Sequence, residues 1–498
     1  MNVLGKKKLG DGTSGDAILL MIAKLITIGS TMVITRLLSE SLSVYHYGTY
    51  SQILLIVSTV TSVTILGMMD GVNYFYCNVQ DPEKRESYIS TIFALQSIVG
   101  TVSGAIIMAL STPLCLYFEN PQIRNLLVFA AVLPLLQNLF WLYHMLIVSI
   151  GKSKMLALRN LVNAVIKLIS FSLILALNGG VADILTVTLV IDIVQIVYFH
   201  AVIRKNGCRI RFRKIRLRLS GDIFRYCLPM ALFVMINALN RDVDKYIVSL
   251  WTDTETMAIY SNAAKTLPFD IVMTSFYTVL MPKITKMIAV KEYRSTVMLY
   301  RSFLELSYVT TCILCCAALS VAPQLMTLLY SEKYMEGLNV FCIYIMVDLI
   351  RFTTVTIILS AMGKTKTIFR LGACALACNA VFNILLFRAF GITGPAIATL
   401  LSTALLGIFM LRKSAVNLQA KVRNFFDGKF VLMFLMESLV LTVLAHLLQK
   451  LMADKGIHYF VILVTVCILY GGIMFALNGK RIIKNLQKIS GKGPAVSY

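Results

Sequence analysis

The sequence predicts an all-α polytopic membrane protein of about 14 transmembrane helices, and three observations predict it. The first is composition. Of 498 residues, 58% are hydrophobic and only 14% charged, with a mean hydropathy of +0.78. Average soluble chains are about 25% charged, so no soluble core of this size finds a matching polar surface here. The second is segmentation into apolar runs near the ~20 residues that span a bilayer. The third is a steep alternation of basic residues from one loop to the next, which is a topology signal.

In chain order the runs are 17–38, 49–69, 89–110, 125–150, 155–177, 182–203, 223–250, 258–281, 302–329, 338–361, 367–387, 393–411, 430–449 and 457–477. The loops between them are short, and none houses a separate soluble domain. No Ala-x-Ala site follows the first run, so it reads as a span and not as a cleaved signal. The predicted organisation is a cytoplasmic tail (1–16), an N-lobe of spans one to six (17–203), a basic linker (204–222) and a C-lobe of spans seven to twelve (223–411). A linker with spans thirteen and fourteen (412–477) and a basic tail (478–498) complete it.

Net charge is +23, a value that in a soluble chain points to nucleic acid. Its distribution argues otherwise. Thirty-five of the 47 Lys and Arg fall in alternate loops, five in the intervening loops, and seven inside spans. The positive-inside rule then puts both termini in the cytoplasm of a cell membrane, and an even number of spans agrees. The most basic loop, Arg204 to Leu219, reads as a solvated linker touching anionic lipid heads. The 11 cysteines lie mostly within apolar runs and read as small buried hydrophobes. No metal or cofactor constellation, nucleotide-binding loop or Ser-His-Asp set is expected. His144 and His446 are lone histidines in apolar runs.

The halves repeat. Gly151-Lys152-Ser153-Lys154 follows span four, and Gly363-Lys364-Thr365-Lys366 follows span ten, 212 residues on. Tyr50-Ser51-Gln52 is echoed by Tyr260-Ser261-Asn262 after 210 residues, and Tyr117 by Tyr330 after 213. A shift of six spans preserves orientation, which makes this a parallel repeat of the kind found in alternating-access transporters.

The stretch from Pro229 to Lys286 keeps six charged residues inside two spans: Arg241, Asp242, Asp244, Lys245, Lys265 and Asp270. Each such charge is unfavourable by about 2.5–3.5 kcal/mol at a helix centre, so these two spans are expected to line a water-filled cavity.

Several segments resemble the polysaccharide and oligosaccharide flippases. They are Leu38-Ser-Glu with Tyr47-Gly-Thr-Tyr-Ser51, Asp244-Lys245 with Thr252 to Lys265, and Leu280-Met-Pro-Lys-Ile284. Tyr330-Ser-Glu-Lys-Tyr334, Ala361-Met-Gly-Lys-Thr365 and Gly391 to Ala398 add to the set. The pattern is similar to the Wzx branch of the multidrug/oligosaccharidyl-lipid/polysaccharide (MOP) exporter superfamily, over about residues 15–480. It departs at Thr252 to Met257, where relatives often have Gly before the Tyr, and at Pro395, where Ala is common. The resemblance implies two six-helix lobes plus two C-terminal helices that form a groove for a lipid tail. It also implies rocking between inward-open and outward-open states. The cargo would be a polyprenyl-pyrophosphate oligosaccharide moved from the cytoplasmic to the outer leaflet, with a polysaccharide polymerase and glycosyltransferases as partners.

With that cargo, Lys24, Arg36, Lys167, Arg241, Lys245 and Lys265 are the candidate substrate-binding residues, since cationic side chains suit phosphate. Competing readings stand beside several. Lys24 can snorkel to the interface, Arg36 can pair with Glu40, and Arg241 and Lys245 can pair with Asp242. Asp192, Asp270 and Asp348 are candidates for ion coupling, against neutralisation of basic partners such as Arg351. Membrane potential, about 2.3 kcal/mol per charge per 100 mV, is another energy source. Pro134, Pro229, Pro268 and Pro323 mark kinks, with Pro268 a candidate hinge. Asn163, Asn237, Asn240, Asn379 and Asn383 require polar surroundings. The alternative transporter is a cation-coupled multidrug antiporter of the same superfamily. A membrane polymerase or ligase would need a large outer loop, and the chain offers none. An inactive scaffold for glycan assembly is a fourth reading.

Overall fold

In the computed structural model the described residues are 13–490. The side chains of 13–25, 153, 154, 157, 212, 229, 230, 233, 270–272, 274, 275, 278, 279, 489 and 490 lie outside the description. The described residues form helices joined by short turns, and the chain divides into two compact units. The first unit holds Met1–Ala238 with Asp253–Ala258, and the second holds Leu239–Thr252 with Ile259–Tyr498.

The first unit contains α1 (Thr13–Ser41), α2 (Val44–Thr64), α3 (Met68–Asn78), α4 (Pro82–Ala109), α5 (Ser111–Tyr117), α6 (Ile123–Ser149), α7 (Ser153–Ala176) and α8 (Val181–Lys205). It also takes the start of α9 (Ser220–Trp251) and of α10 (Thr254–Ala263), whose remainders belong to the second unit. The starts are written in the sequence. Ser43 caps α2 by accepting from His46 N at 3.2 Å, and Asp81 caps α4 from Glu83 N at 2.9 Å, with Pro82 as the first helical residue. The core runs through Met68, Val72, Phe75, Ile92, Phe93, Leu142, Tyr143 and Phe199. Small residues let α4 and α6 approach closely. A methyl group added at Gly104 would sit 2.6 Å from the Ala131 carbonyl oxygen.

The second unit adds α11 (Ile271–Ala289), α12 (Tyr293–Ser320), α13 (Ala322–Tyr330), α14 (Leu338–Arg351), α15 (Ile357–Ala361), α16 (Thr365–Phe390), α17 (Thr393–Asn417), α18 (Gly428–Asp454) and α19 (Tyr459–Ser490). Its core centres on α12, where Tyr300, Phe303 and Leu304 pack with Phe425, Phe434 and Tyr470. A charge cluster fastens the last two helices at one end. Arg481 on α19 reaches Asp427, the α18 cap, at 3.1 Å and Glu305 on α12 at 3.3 Å, while stacking 3.5 Å over the Phe430 ring. Arg301 joins Glu305 at 3.1 Å. The Arg481 guanidinium holds the Asp427 carboxyl below its usual range.

Each of the 14 predicted spans falls on a helix or helix group, but they are not 14 uniform rods. Eleven helical segments among the described residues are long and apolar enough to cross a membrane. The other three predicted spans fall on α1, on the charged α9, and on α10 with α11. That last pair corrects the expectation of one continuous span over 258–281. Pro268 has no N–H and restricts the residue before it, so α10 stops at Ala263. A single 3-10 turn, Pro268–Asp270, precedes α11.

The parallel repeat is visible in backbone geometry. After α6, Gly151 (φ +81°) closes a turn by Gly151 N to Val148 O (2.9 Å) and Lys152 N to Ile147 O (3.1 Å). After α15, Gly363 (φ +67°) closes the same turn by Gly363 N to Ser360 O (3.0 Å) and Lys364 N to Leu359 O (2.8 Å). Both are Schellman closures, in which a left-handed residue satisfies the last helix carbonyls. Three further left-handed pairs keep the spacing: Glu119 with Ser331, Asn178 with Gly391, and Gly207 with Gln419.

Candidate functional site

Charged residues held in helices gather on α7 and α8 in the first unit and on α9 in the second. In the first unit, Arg159, Asn163 and Lys167 recur every four residues along α7 and share a face. On the antiparallel α8, Asp192, Gln195 and Phe199 are buried, at 8%, 8% and 0% exposure. The two sets meet rung by rung. Gln195 Nε2 donates to Asn163 Oδ1 at 2.6 Å. The Arg159 guanidinium lies 4.2 Å from the Phe140 ring centre and 5.4 Å from that of Phe199. Asp192 is a charge neighbour of both Lys167 and Arg159, yet neither cation closes to an ion pair with it among the described residues. Unspent capacity therefore remains: Arg159 Nε and Gln195 Oε1 are buried without a partner. The four-residue spacing of Arg159, Asn163 and Lys167 is the signal in the sequence for this shared face.

In the second unit α9 carries two carboxylates with different tasks. Asp242, 4% exposed, accepts from Lys245 Nζ at 2.8 Å and from Arg241 Nη2 at 3.0 Å. Arg241 itself is 58% exposed, so it has reach to spare. Asp244, 1% exposed, accepts from the Tyr260 hydroxyl at 2.7 Å and from the Tyr344 hydroxyl, and its Oδ1 has no partner. The sequence marks Tyr260 through the repeated Tyr260-Ser261-Asn262, whereas Tyr344, a lone Tyr in an apolar run, carries no spacing signal. Lys265 follows the end of α10, donates to Asn262 Oδ1 at 2.9 Å and sits 5.5 Å from the Tyr330 ring.

Asp348 has a structural task. The break at Pro268 frees backbone donors, and Asp348 Oδ2 accepts from Leu267 N at 2.8 Å. Its other oxygen lies 3.5 Å from Arg351 Nη1. Arg36 pairs with Glu40 at 3.1 Å. Asn379 donates to Asn240 Oδ1 on α9 at 3.1 Å and accepts from Asn383 on its own helix and from Ser402 on α17, so the asparagines share a polar network. The side chains of Lys24 and Asp270 lie outside the described residues. Among those described, no group of three or more His, Cys, Asp or Glu is arranged to hold a metal.

Residues 33–339 match a family described as "Polysaccharide biosynthesis protein". The chain belongs to this polysaccharide biosynthesis family. No curated protein matches it in sequence. Among solved structures it is similar to Lipid II flippase MurJ in an inward closed conformation, at 15% identity and a TM-score of 0.75, over 94% of this chain and 100% of that one. It is also similar to an inward-facing multidrug resistance MATE transporter of the MOP superfamily, at 12% identity and 0.65, over 81% and 98%. A MOP superfamily transporter from Pyrococcus furiosus gives 13% identity and 0.55, over 81% and 94%. These likenesses show a fold shared with those transporters, and the many long apolar helices make this family member a multi-pass membrane protein.

Proposed function

We propose that this chain moves a polyprenyl-pyrophosphate-linked oligosaccharide from the cytoplasmic to the outer leaflet of the cell membrane, by alternating access, for surface polysaccharide biosynthesis. The observation that carries the reading is the family match over residues 33–339 of a chain that spans a membrane many times. The likeness to a protein named a lipid II flippase supports it. In this reading the chain has 14 spans with both termini cytoplasmic, in lobes 17–203 and 223–411.

Lys167, Arg241, Lys245 and Lys265 attract the pyrophosphate and acidic sugars, with Lys24 and Arg36 on the first span. Three features favour an anionic cargo over a cationic drug. Arg241 stays largely exposed despite its bond to Asp242, and among the described residues Arg159 Nε is buried without a partner and Lys167 closes no ion pair. Asp192 is the better candidate of the three carboxylates for ion coupling, because Asp348 is occupied with Leu267 and Arg351.

The test is the lipid-linked sugar profile of cells lacking the protein. Accumulation of a complete polyprenyl-pyrophosphate oligosaccharide with loss of surface glycan is expected. Restoring the gene with Lys167→Ala or Arg241→Ala should leave that defect in place, and rescue by both variants removes the binding assignment. An intact surface glycan with no accumulation sinks the reading and turns attention to multidrug efflux.

A further inference from the structure

The basic linker is a folded part of the first unit. Arg211 N donates to Ser90 Oγ at 3.0 Å and Arg216 N to Thr91 Oγ1 at 3.1 Å. Both hydroxyl residues are buried on α4. Two ion pairs reinforce the docking, Lys214 to Glu83 at 3.3 Å and Arg211 to Glu86 at 3.8 Å. Between the end of α8 and the docked linker lies a cavity of about 280 Å³, lined by His200, Ile203, Arg204, Cys208, Arg209, Ile210 and Arg211.

Four of its seven lining side chains are basic, and the backbone explains why they converge. His200 and Arg204 are four apart on α8 and share a face. Arg209 and Arg211 follow on the segment just after the Gly207 turn, and both line the cavity. The Gly207 turn folds one pair over the other. Its closing bonds use the Arg204 and Ile203 carbonyls, which would otherwise repel an anion. Glu86 is the only carboxylate within ion-pair reach of the lining arginines among the described residues, and it takes Arg211. Arg204 and Arg209 have no carboxylate partner there. Tyr143 occupies His200 Nδ1 at 3.0 Å, which leaves the other ring nitrogen uncommitted.

We propose that this pocket binds a phosphate group, through the Arg204 and Arg209 guanidinium forks with His200 and Arg211 at the rim. A phosphodiester lipid headgroup and free inorganic phosphate share that chemistry. The headgroup source rests on the cytoplasmic placement of the linker given above, whereas binding of the anion itself does not.

The full-length protein in neutral detergent is titrated with phosphatidylglycerol, with phosphatidylcholine and with inorganic phosphate, and bound species are counted by native mass spectrometry. Phosphatidylglycerol should bind in preference to phosphatidylcholine. R204Q/R209Q should weaken it by about fivefold per arginine, or about 25-fold in all. K205Q/R213Q removes the same charge from outside the pocket and should change binding less than threefold. Competition by millimolar inorganic phosphate, lost in R204Q/R209Q, assigns the site to free phosphate. No competition, with the lipid preference intact, assigns it to the headgroup. Equal weakening by the two double variants, or none by either, overturns the proposal. Because nothing in the assay requires transport, its failure is separable from failure of the flippase reading.

Discussion

Removing Asp242 tests whether the α9 cluster is held together as described. Its carboxylate is 5% exposed and Lys245 is 18% exposed, so the pair is shielded from water. Asp242→Ala strands Lys245 as an unpaired cation in an apolar helix. Breaking a buried pair costs about 3–5 kcal/mol in soluble proteins. A lone cation at mid-helix costs about 2.5–3.5 kcal/mol on insertion scales, and we take about 3 kcal/mol as the expectation. Arg241 is mostly solvated, so Arg241→Ala should cost under ~1 kcal/mol. Asp242→Ala/Lys245→Ala removes both members and should cost less than the two single changes together, with a coupling of at least ~1 kcal/mol. Unfolding of the protein in bicelles, followed by steric trapping, reads these differences. Strict additivity of the two changes, or a loss from Arg241→Ala as large as that from Lys245→Ala, would refute the reasoning.

Other positions give independent checks. Gly104→Ala presses a methyl group against the Ala131 carbonyl oxygen and should cost about 1–3 kcal/mol; unchanged thermal stability in detergent would contradict the close α4–α6 contact. The Asp427 carboxyl is held low by Arg481, so its contribution is complete above the ordinary carboxylate pKa of about 3.9 and is lost as pH falls through the lower folded value. Melting curves from pH 6 to pH 2 should therefore show an acid-side loss that Asp427→Asn abolishes, and an identical pH profile in that variant speaks against it. Burial pushes the Cys208 thiol up to about 11. In a variant with Cys208 as its sole cysteine, maleimide labelling should be slow at pH 7 and accelerate toward pH 11. Labelling at pH 7 as fast as at the exposed Cys77 would show an open site.

The fold was legible because bilayer length and loop charge are one-dimensional signals, readable wherever charge is sparse. They faltered over 258–281, where hydropathy ran on but Pro268 removed the backbone bonds a helix needs. The site was legible in part. Charges in apolar helices drew attention to Arg241, Lys245 and Lys167, and pairing with Asp242 accounts for part of the first two. Direction was not announced: nothing in the spacing showed that Asp348 turns to the Leu267 amide or that Asp244 turns to two tyrosines. Those contacts cross between helices far apart in sequence. The docking of the linker was hidden for another reason. Nine basic residues from Arg204 to Arg225 read as a solvated run, and the hydroxyls that hold it, Ser90 and Thr91, sit more than 100 positions earlier.

The paired left-handed corners carry a consequence for handling the protein. Where the first unit places Gly207, the second places Gln419 at φ +53°. A side chain with a β-carbon stands in that region at a penalty of about 1–2 kcal/mol, so Gln419→Gly relaxes a strained turn without touching any helix interior. A molecule that leaves one of two matched corners unrelaxed offers an engineer a stabilising change already tried, by the chain itself, in its other half.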